Sequence, residues 1–193
     1  MAFAITNGNF GSASTWDTGV VPTGSEDAYA NGFTIQVDGT QSVNRVRNDV
    51  TNYYLPNTAI PIMTSSVSPS GIVTANSQVT GGEAWKAFDR NTSTFWQTTA
   101  GSLPSTISYQ FPTTKIIKRY MWRSTTGTTA PRNFTFEGSN DNTTWITLDT
   151  QTAINVGSNN VFVSGLLANT TAYLYYRINI TSINGGVATN IAE

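Results

Sequence analysis

Leu174-Tyr175-Tyr176-Arg177-Ile178-Asn179-Ile180-Thr181 alternates two kinds of side chain. Leu174, Tyr176, Ile178 and Ile180 fall on one side of an extended chain, and Tyr175, Arg177, Asn179 and Thr181 on the other. Successive residues of a strand point to opposite faces, so this stretch has one face for a core and one for water. Antiparallel sheets meet that condition; parallel sheets are buried on both sides. The same period runs through Ile107-Ser108-Tyr109-Gln110-Phe111 and Phe134-Thr135-Phe136-Glu137. Turn formers stand between such runs at Gly101, Gly127, Asn140-Asp141-Asn142, Gly157 and Asn184-Gly185-Gly186. Short strands with regular turns predict an antiparallel β-sandwich over residues 66–193.

Residues 1–52 read as a second, smaller β module. Gly8, Gly11, Gly19, Gly24, Gly32 and Gly39 punctuate it. Phe33, Ile35 and Val37 alternate with Thr34, Gln36 and Asp38, which predicts a half-buried strand closed by the Asp38-Gly39 turn. Val43 and Val46 suggest another strand. Trp16 and Tyr29 are expected to be packing residues, since a module of this size needs its aromatics inside. The stretch from Trp16 to Ile35 is similar to the openings of some bacteriophage virion proteins and of β-solenoid surface proteins. Residues 53–65, with Pro56 and Pro61 and a serine-rich patch beginning at Ser65, hold no period and read as an extended linker. The expected architecture is therefore all-β throughout.

Composition excludes several function classes. The 193 residues carry a formal net charge of −1 and are 38% hydrophobic but only 11% charged. That charged share is under half the usual quarter, so solubility rests on Thr, Ser, Asn and Gly. With no basic run, binding to nucleic acid through a phosphate-neutralising patch is not expected. Cysteine and histidine are both absent. No thiol nucleophile, thiolate metal site or Ser-His triad can be built. No apolar run approaches the roughly 20 residues of a membrane helix. The opening Met1–Asn9 has neither a basic nor a sustained apolar region of the kind that exports a chain.

The stretch that concentrates chemistry is Ala84-Trp85-Lys86-Ala87-Phe88-Asp89-Arg90-Asn91-Thr92-Ser93-Thr94-Phe95-Trp96. Asp89, Asn91, Ser93 and Thr94 offer hard oxygens, and Phe88, Phe95 and Trp96 can pin the loop to a core. Oxygen donors of mostly neutral character suit Ca²⁺. The same residues suit a polar turn in which Asp89 accepts from backbone amides. Spacing leaves both readings open.

Three blocks in order carry a family resemblance. They are Ala87-Phe88-Asp89-Arg90-Asn91 with Thr94-Phe95-Trp96; Pro131-Arg132-Asn133-Phe134-Thr135-Phe136-Glu137-Gly138-Ser139-Asn140-Asp141 with Trp145; and Tyr176-Arg177-Ile178-Asn179-Ile180-Thr181 with Ile191-Ala192-Glu193. Together they resemble the discoidin domain, also called the coagulation factor V/VIII type C domain, whose relatives include the family 32 carbohydrate-binding modules. The resemblance implies a jelly-roll-like, galactose-binding-like sandwich that binds ligand rather than catalyses. It also implies one structural Ca²⁺, held by the carbonyls of Lys86, Asn91 and Ala192, the carboxylates of Asp89 and Glu193, and Thr94. Arg90 stands where such domains commonly have Gly. The sequence ends at Glu193, where relatives continue into a last short strand, so that end is expected to fray.

The resemblance places ligand residues on loops at one end of the sandwich. A sugar site needs an aromatic platform and planar donors. Candidates are Trp85, Gln97, Arg123, Arg132 and Asn133. Trp96 and Trp145 match positions expected in the core. Glu137 and Asp141 form the one tempting carboxylate pair for glycoside hydrolysis, and both fall in or beside the Gly-Ser-Asn-Asp turn. The expected function is non-catalytic attachment of a bacteriophage virion to a host-surface glycan. The chain would be assembled in the host cytoplasm, act outside the cell, and contact other virion proteins as a homo-oligomer without membrane insertion. The alternative is a purely structural virion component using the sandwich for protein contacts.

Overall fold

The computed structural model describes residues 2–4, 6, 8–23, 27–29, 35–36, 45–47 and 59–193. The chain divides into two compact units, Met1–Asn57 and Thr58–Glu193. Described secondary structure is all strand, apart from three 3₁₀ turns of three to five residues.

In the first unit, β1 (Ala2–Phe3), β3 (Asp27–Tyr29) and β5 (Arg45–Arg47) form one ladder, and β2 (Gly8–Asn9) pairs with β4 (Ile35–Gln36) in another. Both ladders are parallel. Their strands alternate along the chain, so the chain visits the two ladders in turn. Ala4, Phe10, Trp16 and Ala28 are buried together, with Val21 packed against them. The Trp16 ring meets Phe10 edge-on at 5.0 Å, and its Nε1–H donates to the Phe10 carbonyl at 2.8 Å. Trp16 is thus a core residue, as its module's size demands. The predicted strand centred on Ile35 is present at Ile35–Gln36; Phe33, Thr34, Val37 and the Asp38-Gly39 turn lie outside the described residues, as does 53–58 of the expected linker.

Residues 59–65 belong to the second unit rather than to a linker. Met63 is 1% exposed, Ile60 packs beside it, and the Met63 N–H donates to the Phe88 carbonyl at 2.9 Å. Pro61, and the serine-rich patch that starts at Ser65, hid an anchored segment.

The second unit is an antiparallel sandwich. Its larger sheet runs β11 (Ile146–Gln151), β10 (Pro131–Ser139), β13 (Tyr173–Ile183), β8 (Ser105–Lys115), β6 (Ile72–Ala75). Two pairs complete it: β9 (Met121–Arg123) with β12 (Val161–Val163), and β7 (Trp96–Gln97) with β14 (Asn190–Ile191). The alternation read from sequence is realised. Ile107, Tyr109 and Phe111 of β8, Phe134 and Phe136 of β10, and Tyr176 and Ile180 of β13 are buried around Trp96 and Trp122. Phe162 stacks on Trp122 at 5.4 Å and meets Phe134 edge-on at 5.3 Å. Such ring pairs add about 0.5–1.5 kcal/mol each beyond their buried area.

Trp96 is fully buried, but Trp145 is not a core residue. A bulge between Phe136 and Glu137 shifts the β10–β11 register. Beyond it Trp145 is half-buried against Arg177, whose guanidinium carbon is 4.0 Å from the ring centroid. Arg177 in turn pairs with the Glu137 carboxylate, which has 8% of its side chain exposed. Residue type gives size and polarity but not the face on which a bulged strand presents its neighbour.

Candidate functional site

The Ala84–Phe88 turn is a 3₁₀ helix that buries Ala84 and Ala87. Phe88 reaches Tyr109 at 5.9 Å, and Trp85 packs against the same core while remaining half-buried. The Lys86 ammonium stands 5.8 Å from the Trp85 ring centroid and pairs with Glu83 at 2.8 Å. That hydrogen bond, with the Gly81 N–H, holds the Glu83 carboxyl down to about 2.

Past this turn the chain doubles back. Arg90 has a φ of 55°, the left-handed region where Gly is free of strain. This accounts for glycine being common there in similar domains. Asn91 N–H donates to Asp89 Oδ1 at 2.8 Å, and Ser93 N–H to Asn91 Oδ1 at 3.1 Å. The Thr94 hydroxyl lies 2.6 Å from Asp89 Oδ2 and 2.8 Å from the Asn91 carbonyl. The polar turn is real, and it gathers Asp89, Asn91 and Thr94.

Glu193 is brought to the same place. Its carboxyl is pushed up to about 7, first by burial and then by the charge of Asp89; the Arg90 and Arg123 charges and the Arg90 N–H pull the other way. Glu193 Oε1 is buried and has no hydrogen-bond partner. A buried, unpartnered oxygen beside a second carboxylate is the electrostatic condition a cation relieves. The residues able to hold a divalent ion here are Asp89, Glu193 and Thr94 by side chain, with carbonyls of Lys86, Asn91 and Ala192 on the same segments. These hard oxygens suit Ca²⁺. Among the described residues no group of three or more His, Cys, Asp or Glu side chains forms a metal cluster.

The end that was expected to fray is bonded into the fold. Ala192 is fully buried, its N–H donates to the Arg123 carbonyl at 2.7 Å, and the Arg123 N–H donates to the Glu193 carbonyl at 2.7 Å.

The ligand candidates fall into distinct situations. The Arg123 guanidinium is engaged within the fold through three of its five N–H groups: it donates to the Asn159 carbonyl and side chain, both at 3.2 Å, and to the Thr92 carbonyl at 3.3 Å. It therefore ties the Asp89 turn to the 157–160 loop. Arg132 is exposed and gives one N–H to Asn184 Oδ1 at 3.2 Å. Asn133 Oδ1 accepts the Ala153 N–H at 2.8 Å, a bond internal to the fold. Gln97 is half-buried in β7, its main chain bonded to Val79 and Gly82.

Two residues that sequence reasoning passed over order these loops. Asn190, 4% exposed, accepts through Oδ1 from the Thr125 N–H at 3.2 Å and the Thr125 hydroxyl at 2.9 Å. Asn159 is the acceptor for Arg123. The Gly127 N–H donates to Ser158 Oγ at 2.9 Å, and the Gly186 N–H to the Thr128 carbonyl at 2.9 Å. Loops 91–94, 124–130, 157–160 and 184–193 are thus laced together at one end of the sandwich, with Arg132 beside them. The polar residue beside Ile191-Ala192-Glu193 was the only cue for Asn190.

The carboxylate pair that suggested glycoside hydrolysis is structurally committed. Glu137 is held by Arg177 and by the Thr135 hydroxyl at 2.6 Å. Asp141 Oδ1 accepts the Thr143 and Thr144 N–H groups at 2.8 and 2.7 Å, which hold its carboxyl well below the usual carboxylate range.

The sequence pattern described as the F5/8 type C domain matches residues 72–193. The chain belongs to the F5/8 type C domain family. Solved structures similar to this F5/8 type C chain include CpGH89CBM32-5 of Clostridium perfringens, in complex with GalNAc-beta-1,3-galactose. It is 18% identical over 64% of this chain and 91% of that one, with a TM-score of 0.55. Chitosan-binding module 2 of a chitosanase/glucanase from Paenibacillus sp. IK-5, in complex with chitotriose, is 22% identical over 64% and 92%, with a TM-score of 0.56. The CBM32 of AlyQ, in complex with 4,5-unsaturated mannuronic acid, is 19% identical over 63% and 89%, with a TM-score of 0.52. Among curated proteins none matches the chain.

Proposed function

We propose that the F5/8 type C unit is a non-catalytic glycan-binding module whose ligand contacts are Arg132 and Trp85. Arg123 acts as a positioning residue that holds the loops on which the site is built. The observation that carries this reading is the laced loop end with the exposed Arg132 guanidinium beside it. A planar fork of N–H donors suits sugar hydroxyls or a sugar carboxylate. Sandwiches of this shape solved with a galactoside, with chitotriose and with an unsaturated mannuronate support the class of ligand. Half-buried Trp85 offers the aromatic surface that the apolar face of a sugar ring needs.

In the same reading Asp89, Glu193, Thr94 and the carbonyls of Lys86, Asn91 and Ala192 hold a structural Ca²⁺. Its positive charge would offset the two carboxylates and tie the Glu193 segment to the Asp89 turn. The unpartnered Glu193 Oε1 supports this.

The chain is further proposed to serve on a bacteriophage particle, assembled in the host cytoplasm and acting outside it on host-surface glycans. The similarity of Trp16–Ile35 to virion openings, and a surface whose solubility rests on neutral polar residues, support that setting. A glycan array probed with the full chain tests the binding reading, with at least one galactoside, chitooligosaccharide or uronate retained above background. An array with no retained glycan contradicts it. Peptide mass spectrometry of purified particles tests the setting separately, since a chain absent from particles contradicts it.

A further inference from the structure

Asn184-Gly185-Gly186 forms the turn after β13, beside the exposed Arg132. The main chain is fastened on both sides of the Asn184–Gly185 bond. The Asn184 N–H donates to the Ala130 carbonyl at 3.2 Å, and the Gly186 N–H to the Thr128 carbonyl at 2.9 Å. Between these anchors Gly185 is exposed at a φ of 105°, and no atom lies within 4 Å of where a side chain would begin. The Asn184 amide is held by one end only. Its Oδ1 accepts an Arg132 N–H at 3.2 Å, while its Nδ2 is buried with no hydrogen-bond partner among the described residues.

An asparagine followed by glycine carries an electrophile and a nucleophile in one dipeptide. Joining the glycine nitrogen to the Asn Cγ closes a five-membered ring, and glycine has no side chain to obstruct the closure. Three features favour this pair. The Arg132 cation on Oδ1 polarises Cγ and meets the negative charge that grows on that oxygen during attack. The amino group that must leave is held by no acceptor, and a buried donor without one is itself destabilising. The open space around Gly185 admits the ring and the water that opens it. Asn7-Gly8 differs, because Gly8 is paired in β2 and a Cβ there would stand 2.7 Å from Thr15 Oγ1. A third pair, Asn31-Gly32, lies outside the described residues.

We propose that Asn184 is a site of spontaneous covalent modification, converted by the Gly185 nitrogen to an acidic residue that captures Arg132. The Gly185 nitrogen loses its proton to hydroxide and bonds to the Asn184 Cγ. The Cγ–Nδ2 bond then breaks, and Nδ2 takes a proton from water and leaves as ammonia. Water adds to one carbonyl of the resulting succinimide and breaks its bond to the ring nitrogen. Opening at Cγ leaves aspartate; opening at the main-chain carbonyl leaves isoaspartate. Either product adds one negative charge. The aspartate offers two acceptor oxygens to the planar Arg132 fork, so an ion pair replaces a single bond to a neutral amide. The effect on ligand rests on the glycan-binding reading: with Arg132 paired, a sugar carboxylate loses most.

The full-length protein is held at mildly alkaline pH below its melting temperature, native and in urea, and sampled by peptide mass spectrometry. The native chain is expected to lose ammonia at position 184 and then gain the acid there, ahead of Asn7. In Arg132→Gln the native conversion should be about fivefold slower, with no difference in urea, where the fold no longer brings position 132 to 184. Asn184→Gln, which would need a six-membered ring, should give no product at that position. A native Asn184 that stays an amide while it converts in urea, or a native rate that Arg132→Gln leaves unchanged, overturns the proposal. Capture of Arg132 is read with Asn184→Asp, which should bind mannuronate oligosaccharides more weakly than fresh wild type; equal binding overturns the capture. Fresh wild type that binds no sugar counts against the glycan reading alone and leaves the mass result standing.

Discussion

Arg123 and Glu193 hold each other's segments together: the Arg123 N–H donates to the Glu193 carbonyl, while the Arg123 carbonyl accepts from the neighbouring Ala192 N–H, both at 2.7 Å. These two bonds fasten the end of the sequence to β9. It brings the Glu193 carboxyl under the Asp89 turn, where both burial and Asp89 oppose its ionisation. Loop order and charge are therefore coupled at one corner of the sandwich.

The first prediction concerns pH. A carboxyl whose folded value is raised from 4.5 to about 7 binds its proton more tightly folded than unfolded. Its contribution to stability is present below the unfolded value and is lost as pH rises through the folded one. In excess chelator, Tm should fall between about pH 4.5 and 7.5, and Glu193→Gln should flatten that fall. Thermal denaturation by circular dichroism across that range is the check.

Calcium should reverse the trend. A ligand that binds only the folded state stabilises it by about 2.7 kcal/mol at a hundredfold excess over Kd. Wild type should melt higher in calcium than in chelator at pH 7.5, and Asp89→Ala should show little difference between the two. Equal wild-type melting temperatures in both conditions would remove the ion from the account.

On the outer face of the larger sheet, Arg177→Ala should strand the buried Glu137 carboxylate. Removing one partner of a buried pair costs about 3 kcal/mol or more. Urea denaturation should show this loss, and the double variant Arg177→Met/Glu137→Gln should recover much of it. Near-additive losses would mean that the pair is not coupled.

The sandwich was legible because its long strands alternate cleanly and one face of each meets the core, as in Ile107, Tyr109 and Phe111. The first unit's parallel ladders were not legible, because strands of two or three residues are too short to display a period. Trp145 was misplaced by a bulge that no residue type announces. The anchoring of Ala192 and Glu193 is made by main-chain groups, which leave no mark in sequence. At the candidate site, Asp89, Asn91 and Thr94 stood out by their hard oxygens and Glu193 by resemblance, but the engagement of Arg123 by Asn159 and Thr92 is set by loop packing that no local pattern announces.

Arg123 should act through the loops rather than on ligand. Arg123→Lys keeps the charge but loses the fork that reaches three acceptors. It should weaken glycan binding and raise hydrogen exchange in 91–94 and 157–160 together. Weakened binding with unchanged exchange would instead make Arg123 a direct contact.

The most direct test is titration of the full-length protein, followed by calorimetry or amide shifts, with GalNAc-β-1,3-galactose, chitotriose and mannuronate oligosaccharides. One shallow site with a few hydrogen bonds should give saturable binding with a Kd on the order of 0.1–1 mM for at least one of them. Arg132→Ala and Trp85→Ala should each weaken that binding about tenfold, with Tm nearly unchanged for the exposed Arg132. No saturable binding to any of these sugars, or unchanged affinity in both variants, would contradict glycan binding at this end of the sandwich.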